Sequence, residues 1–129
     1  MTEENGGRRR ILVVEDEPAI SEICVRALSD PGFEVDIASN GKLALGMLRG
    51  NQYDLCLIDV RTPEMDGIEL YEWLKHQRPD LVGKVVFTTG DVMSGNISAF
   101  LDATGRPYLP KPFTPDELRA AVRTALAAG

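Results

Sequence analysis

Short, continuous apolar runs alternate with amphipathic segments along almost the whole chain. Ile11-Leu12-Val13-Val14, Leu55-Cys56-Leu57-Ile58 and Val85-Val86-Phe87 have no polar interruption. Runs of that length are expected for strands covered on both faces, as in a parallel sheet flanked by helices. Phe33-Glu34-Val35-Asp36-Ile37 alternates instead, which predicts a strand with one face less covered. Tyr108-Leu109 is short and set among prolines, so it too belongs at an edge.

Helical patterns fill the intervals. Ile20, Ile23, Cys24, Ala27 and Leu28 recur at helical spacing behind Pro18, a residue tolerated in a first turn. Leu43 to Leu48 predicts a second helix capped by Asn40. Asp66-Gly67-Ile68-Glu69 reads as a capping box opening a third, closed by Pro79. Ile97, Phe100 and Leu101 mark a fourth that leaves at Thr104-Gly105. Thr114-Pro115-Asp116-Glu117 starts a fifth, which buries Leu118, Ala121, Val122 and Ala125. The expectation is an α/β fold: a five-stranded parallel sheet, doubly wound with five helices, strands 2 and 5 outside. The order 2-1-3-4-5 is adopted from known flavodoxin-like sheets rather than obtained from periodicity. Residues 1–9 carry no periodicity and are expected to form a disordered lead to one domain over 10–127.

The net charge of −6 argues against nucleic acid as the direct partner, because phosphate backbones call for a basic face. Arg8-Arg9-Arg10 is the one basic run and has Glu3 and Glu4 nearby, so it reads as a solvated flank. No apolar stretch approaches the roughly 18 residues that span a bilayer. The N-terminus also lacks the apolar core of a signal peptide. Cys24 and Cys56 sit inside apolar patterns and read as buried free thiols of a reducing cytoplasm.

In an open α/β sheet, ligands collect beyond the carboxyl ends of the strands. Glu15 and Asp16 follow the first apolar run and Asp59 ends the third. Thr88, Thr89 and Gly90 follow the fourth, and Lys111 the fifth. Three crowded carboxylates repel unless a cation joins them, and Mg²⁺ suits such oxygen donors while leaving room for a phosphate oxygen. Asp59 is then placed to act as a nucleophile that passes through an aspartyl phosphate. Lys111 would balance the phosphoryl charge and Thr89 would donate its hydroxyl. Taken singly, Asp16 and Asp59 read equally well as strand-end acids; Thr89 also has a plainer, less favoured reading as a turn residue, and Lys111 one as a surface lysine.

The stretches ILVVEDEP, LCLIDVRTPEMDG, VVFTTGD and YLPKPF resemble, in order, the motifs of response-regulator receiver domains of bacterial two-component signalling, the CheY-like superfamily. The resemblance implies that Asp59 is the phosphoacceptor, Thr89 the switch hydroxyl, Tyr108 the aromatic switch and Lys111 the phosphate-contacting lysine. It implies metal ligation by Asp16, Asp59 and the Arg61 backbone carbonyl, with Glu15 acting through water, and a cis Lys111–Pro112 bond. It implies a histidine kinase or histidine phosphotransfer protein as donor. It also implies a downstream effector or attached output domain, reached through the face of the fourth predicted helix, fifth strand and fifth helix. Such a domain is not an enzyme beyond its own phosphorylation and dephosphorylation. Asp91 and Met93 are expected to border the site, and His76 to be a solvated histidine.

Two other readings stay open. A haloacid-dehalogenase-like phosphatase also uses a strand-end aspartate but wants a second one where Arg61 stands. A pseudo-receiver would bind without being phosphorylated, yet none of the key groups is missing. A dinucleotide-binding domain is disfavoured because no G-x-G-x-x-G follows the first strand. The sequence leaves open whether this is a free regulator or part of a hybrid kinase or longer regulator. It also leaves weak homodimerisation undecided.

Overall fold

The computed structural model describes residues 8–29, 32–91 and 94–128. The apolar runs form a single sheet of β1 (Arg10–Val14), β2 (Glu34–Ala38), β3 (Leu55–Asp59), β4 (Val85–Thr89) and β5 (Tyr108–Pro110). All pairings are parallel and the order is β2-β1-β3-β4-β5. Burial follows the sequence pattern. β3 and β4 are buried throughout, whereas β2 is mostly half-exposed and β5 still more open.

Among the described residues, six helices lie between or after the strands: α1 (Pro18–Ser29), α2 (Gly41–Gly50), α3 (Gly67–Gln77), α4 (Pro79–Val82), α5 (Gly95–Thr104) and α6 (Pro115–Ala128). Five were expected. The addition is α4, a single turn too short to leave a periodic trace. Pro79 ends α3 as predicted and also occupies the first position of α4, where its missing N–H removes no helical bond.

The predicted caps form. Asn40 Oδ1 accepts from the Leu43 amide at 2.8 Å. Asp66 and Glu69 close a reciprocal box, as do Thr114 and Glu117; each box satisfies two otherwise orphaned amides. Gly105 ends α5 with φ of 66°, a left-handed turn that glycine adopts without a Cβ penalty.

Strand alternation divides the core in two. Leu12, Val14, Cys56, Ile58, Val85 and Phe87 face the side covered by α2, α3 and α5. Ile11, Val13, Leu55, Leu57 and Val86 face α1 and α6. Burial pushes both cysteine thiols up to about 12, so Cys24 and Cys56 behave as small apolar fillers, as expected. Among the described residues, no helix is long and apolar enough to cross a membrane. Of the predicted N-terminal lead, only Arg8 and Arg9 are described, and both are exposed; residues 1–7 lie outside the described residues, as does Met93.

Candidate functional site

A sheet ordered 2-1-3-4-5 reverses its winding between β1 and β3, which leaves a crevice at their carboxyl ends. Glu15 leaves β1 there. Its amide donates to the Ala38 carbonyl at 2.9 Å, and its side chain is almost fully buried. Asp59, the last residue of β3, is likewise buried and accepts from the Arg61 amide at 3.1 Å. The loop behind it is held by the Val60 amide on Thr88 and the Gly67 amide on Val60. A Cβ at Gly67 would lie 2.8 Å from the Asp59 carbonyl oxygen and from Val60 Cα. Only glycine therefore lets α3 start this close to the acid.

Lys111 reaches the crevice from β5. Its amide donates to the Thr89 carbonyl at 2.8 Å, and the Lys111–Pro112 bond is cis, as expected. The ammonium lies 2.8 Å from Asp59 Oδ2, 3.0 Å from Glu15 Oε1 and 3.0 Å from Glu17 Oε1. Burial works to lower the ammonium's pKa, but the bonds to Asp59, Glu17 and Glu15 outweigh it and hold it above its ordinary value. Glu15 is raised, chiefly by burial and further by the Asp59 charge, against the opposing pull of Lys111.

Oxygens of Glu15, Glu17 and Asp59 all lie within 4.8 Å of one another. Three carboxylates against one ammonium leave negative charge uncompensated, and hard oxygen donors so placed fit a Mg²⁺-sized cation. The sequence reading passed over Glu17. Its signal is the run Glu15-Asp16-Glu17 before Pro18, and what carries the third acid over to Lys111, though still exposed, is a turn in which the Glu17 amide donates to Glu15 Oε2 at 3.1 Å. Asp16 is exposed and lines the pocket with Glu17, Asp59, Arg61, Gly90, Asp91 and Lys111, but stands outside the tight trio. The pocket encloses about 480 Å³ and is open to solvent.

Thr89 is buried at the end of β4, and its Oγ1 accepts from the Asp91 amide at 3.0 Å, leaving the hydroxyl proton free for another acceptor. The Arg61 side chain, which stands where a phosphatase of the rival type would carry a second aspartate, bridges to Asp91 Oδ2 at 2.8 Å. Asp91 thus borders the site as expected. Tyr108 is 47% exposed, and His76 is exposed on α3.

A doubly wound parallel sheet with an acidic crevice at its switch point, closed by one lysine, defines a CheY-like class of protein. The response regulator receiver domain model matches residues 11–123, and the chain belongs to that family, the receivers of two-component signalling. It is 39% identical over 117 residues to the response regulator MprA of Mycobacterium sp. strain KMS, covering 91% of this chain and 50% of that one. The chain thus spans about half the length of the curated relatives it matches. Its fold is similar to a CheY-like receiver domain protein from Methanospirillum hungatei (TM-score 0.86, 31% identity, 95% of this chain and 96% of that one). It is also similar to the response regulator TrrA of Thermotoga maritima in complex with Mg²⁺–BeF (TM-score 0.78, 31% identity, 91% and 98%).

Proposed function

We propose that this domain, over residues 10–127, is a cytoplasmic phospho-acceptor that takes a phosphoryl group onto Asp59 from a phosphohistidine of a histidine kinase or phosphotransfer protein. The observation that carries the reading is the Asp59 carboxylate at the foot of an open, acid-rich pocket, with the Lys111 ammonium 2.8 Å away.

Asp59 attacks the phosphorus in line. A carboxylate O–P bond forms as the P–N bond to the donor imidazole breaks, and the imidazole leaves with the bond's electron pair and takes up a proton. Lys111 is already positioned to balance charge on the phosphoryl oxygens, so little reorganisation is needed. Thr89 donates its hydroxyl proton to one of those oxygens. Glu15, Glu17 and Asp59 would hold Mg²⁺, with Asp16 and the Arg61 carbonyl as the further ligands expected from sequence. When bound, the ion supplies positive charge against the transferring group. The Mg²⁺–BeF complex of the TrrA relative supports that assignment.

As Thr89 moves toward the phosphoryl group, Tyr108 turns inward. The face of α5, β5 and α6 then changes for a downstream effector or an attached output domain. The shift is limited to the differential contacts phosphorylation makes with the two states.

The test is intact mass after treatment with acetyl phosphate and Mg²⁺. The native chain gains one phosphoryl group and Asp59→Asn gains none. Equal labelling of the two, or none in either, refutes the assignment.

A further inference from the structure

Asp91 makes three attachments at once. Its carboxylate is paired with Arg61 at 2.8 Å across the pocket mouth. Its amide donates to Thr89 Oγ1 at 3.0 Å. Its carbonyl accepts from the amide of Ser94, the N-cap residue of α5, at 3.2 Å. Ser94 makes no side-chain cap bond to α5, and the Asp91 carbonyl is a polar tie to the residue at the start of that helix.

From this junction we infer that Asp91 is a double tether, fastening the start of α5 to the resting site through Arg61 and Thr89, and that a phosphoryl group on Asp59 releases both fastenings. The inference rests on the phospho-acceptor reading above. A phosphoryl group on Asp59 places a dianion with three acceptor oxygens in the pocket that Arg61 lines. For a guanidinium that anion is a stronger, bidentate-capable partner than a half-exposed carboxylate. The Arg61–Asp91 pair is 62% and 45% exposed, a weak pair that is easily exchanged. The same anion draws the Thr89 hydroxyl away from the Asp91 amide. Both ties end on one residue, so the anchor of α5 loosens as a unit. This route to the α5 face does not pass through Tyr108.

The test is amide hydrogen exchange in the first turn of α5, at Ser98 and Ala99, for the native chain, Arg61→Gln, Asp91→Ala, the double variant Arg61→Gln/Asp91→Ala, and Asp91→Glu. Each is measured at rest and with beryllofluoride plus Mg²⁺. At rest, Arg61→Gln and Asp91→Ala should each speed exchange by up to about fivefold, the range an exposed ion pair commands. The double variant should go no further than either, and Asp91→Glu should restore native protection. With beryllofluoride bound, all five should converge, whereas a purely structural role would leave the variants loose in both states. Native-like exchange in Arg61→Gln and Asp91→Ala at rest, or fully additive effects, overturns the tether. Persistent differences in the bound state overturn its release. If beryllofluoride leaves the native spectrum unchanged, the phospho-acceptor reading and the release both fail, while the resting comparison still decides the tether.

Discussion

Two cations are withdrawn from solvent to nearly the same degree at opposite rims of the sheet. Lys111, 13% exposed, stands at the carboxyl rim; Arg78, 16% exposed, stands at the amino rim where α3 gives way to α4. Arg78 bonds the carbonyls of Leu48 and Asn51, the side chain of Gln52 and the carboxylate of Asp80. One acid meets one guanidinium, and the other acceptors are neutral. Lys111 faces three carboxylates with a single ammonium. The amino rim is an electrostatically closed clasp that ties the end of α2 to the end of α3. The carboxyl rim carries a deficit of positive charge that a bound cation can fill. Similar burial with a different charge balance, neutral at one rim and net negative at the other, separates a closed network from a cluster able to take up a cation.

Removing each hub should therefore have different consequences. Arg78→Met leaves the part-buried Leu48 carbonyl without its donor, which costs about 1–3 kcal/mol, and removes the exposed pair to Asp80, worth up to about 1 kcal/mol more. We expect a loss of about 1–4 kcal/mol in urea unfolding, with an unchanged slope and no recovery on adding Mg²⁺. Lys111→Met should lose about 1–3 kcal/mol in metal-free buffer, below the cost of breaking a fully buried pair because Glu17 is largely solvated. Here Mg²⁺ should recover most of the loss, since the acids that lost a partner gain another. The same titration on both variants decides the contrast. Recovery by Mg²⁺ in Arg78→Met, or indifference in Lys111→Met, would erase the distinction between the rims.

What the sequence displayed and what it hid divide along a physical line. The apolar runs of β1, β3 and β4, the alternation in β2 and the boxes at Asp66 and Thr114 are local signals, written within a few residues of where they act. The carboxyl-rim acids, Thr89 and Lys111 were legible because parallel topology sends every strand end to one edge. Arg78 was not, because apart from Asp80 its partners lie 26–30 residues away on α2 and the loop after it and no periodicity links them. Glu17 was passed over because the turn that carries it to Lys111 depends on a bond from its amide to the Glu15 carboxylate, and the Arg61–Asp91 bridge because it joins two loops 30 residues apart. α4 escaped because one helical turn carries no repeat.

The rims also differ in how they turn the chain, which supplies the smallest test. Among the described residues, the left-handed positions in helix-to-strand connections at the amino rim are both glycine, Gly32 with φ of 98° and Gly105 with φ of 66°. At the carboxyl rim the left-handed position is Glu64, with φ of 72°, in the loop from Asp59 to α3. A side chain there costs about 1–2 kcal/mol through the clash of its Cβ with the following carbonyl. Glycine would remove that cost but add about 0.5–1 kcal/mol of unfolded-state entropy. Glu64→Gly should thus stabilise the fold by a net of about 0.5–1 kcal/mol, read as a higher urea midpoint. The loop's other fastenings, Thr62 Oγ1 on the Met65 carbonyl and the Gly67 amide on the Val60 carbonyl, do not involve the Glu64 side chain, so Mg²⁺ affinity should stay unchanged. A gain in stability with equal Mg²⁺ binding identifies the strain as incidental to the acids. A gain accompanied by weaker Mg²⁺ binding would instead mean that the left-handed turn helps hold the Asp59 loop in its ligand-ready shape, extending the contrast between the rims from charge to backbone.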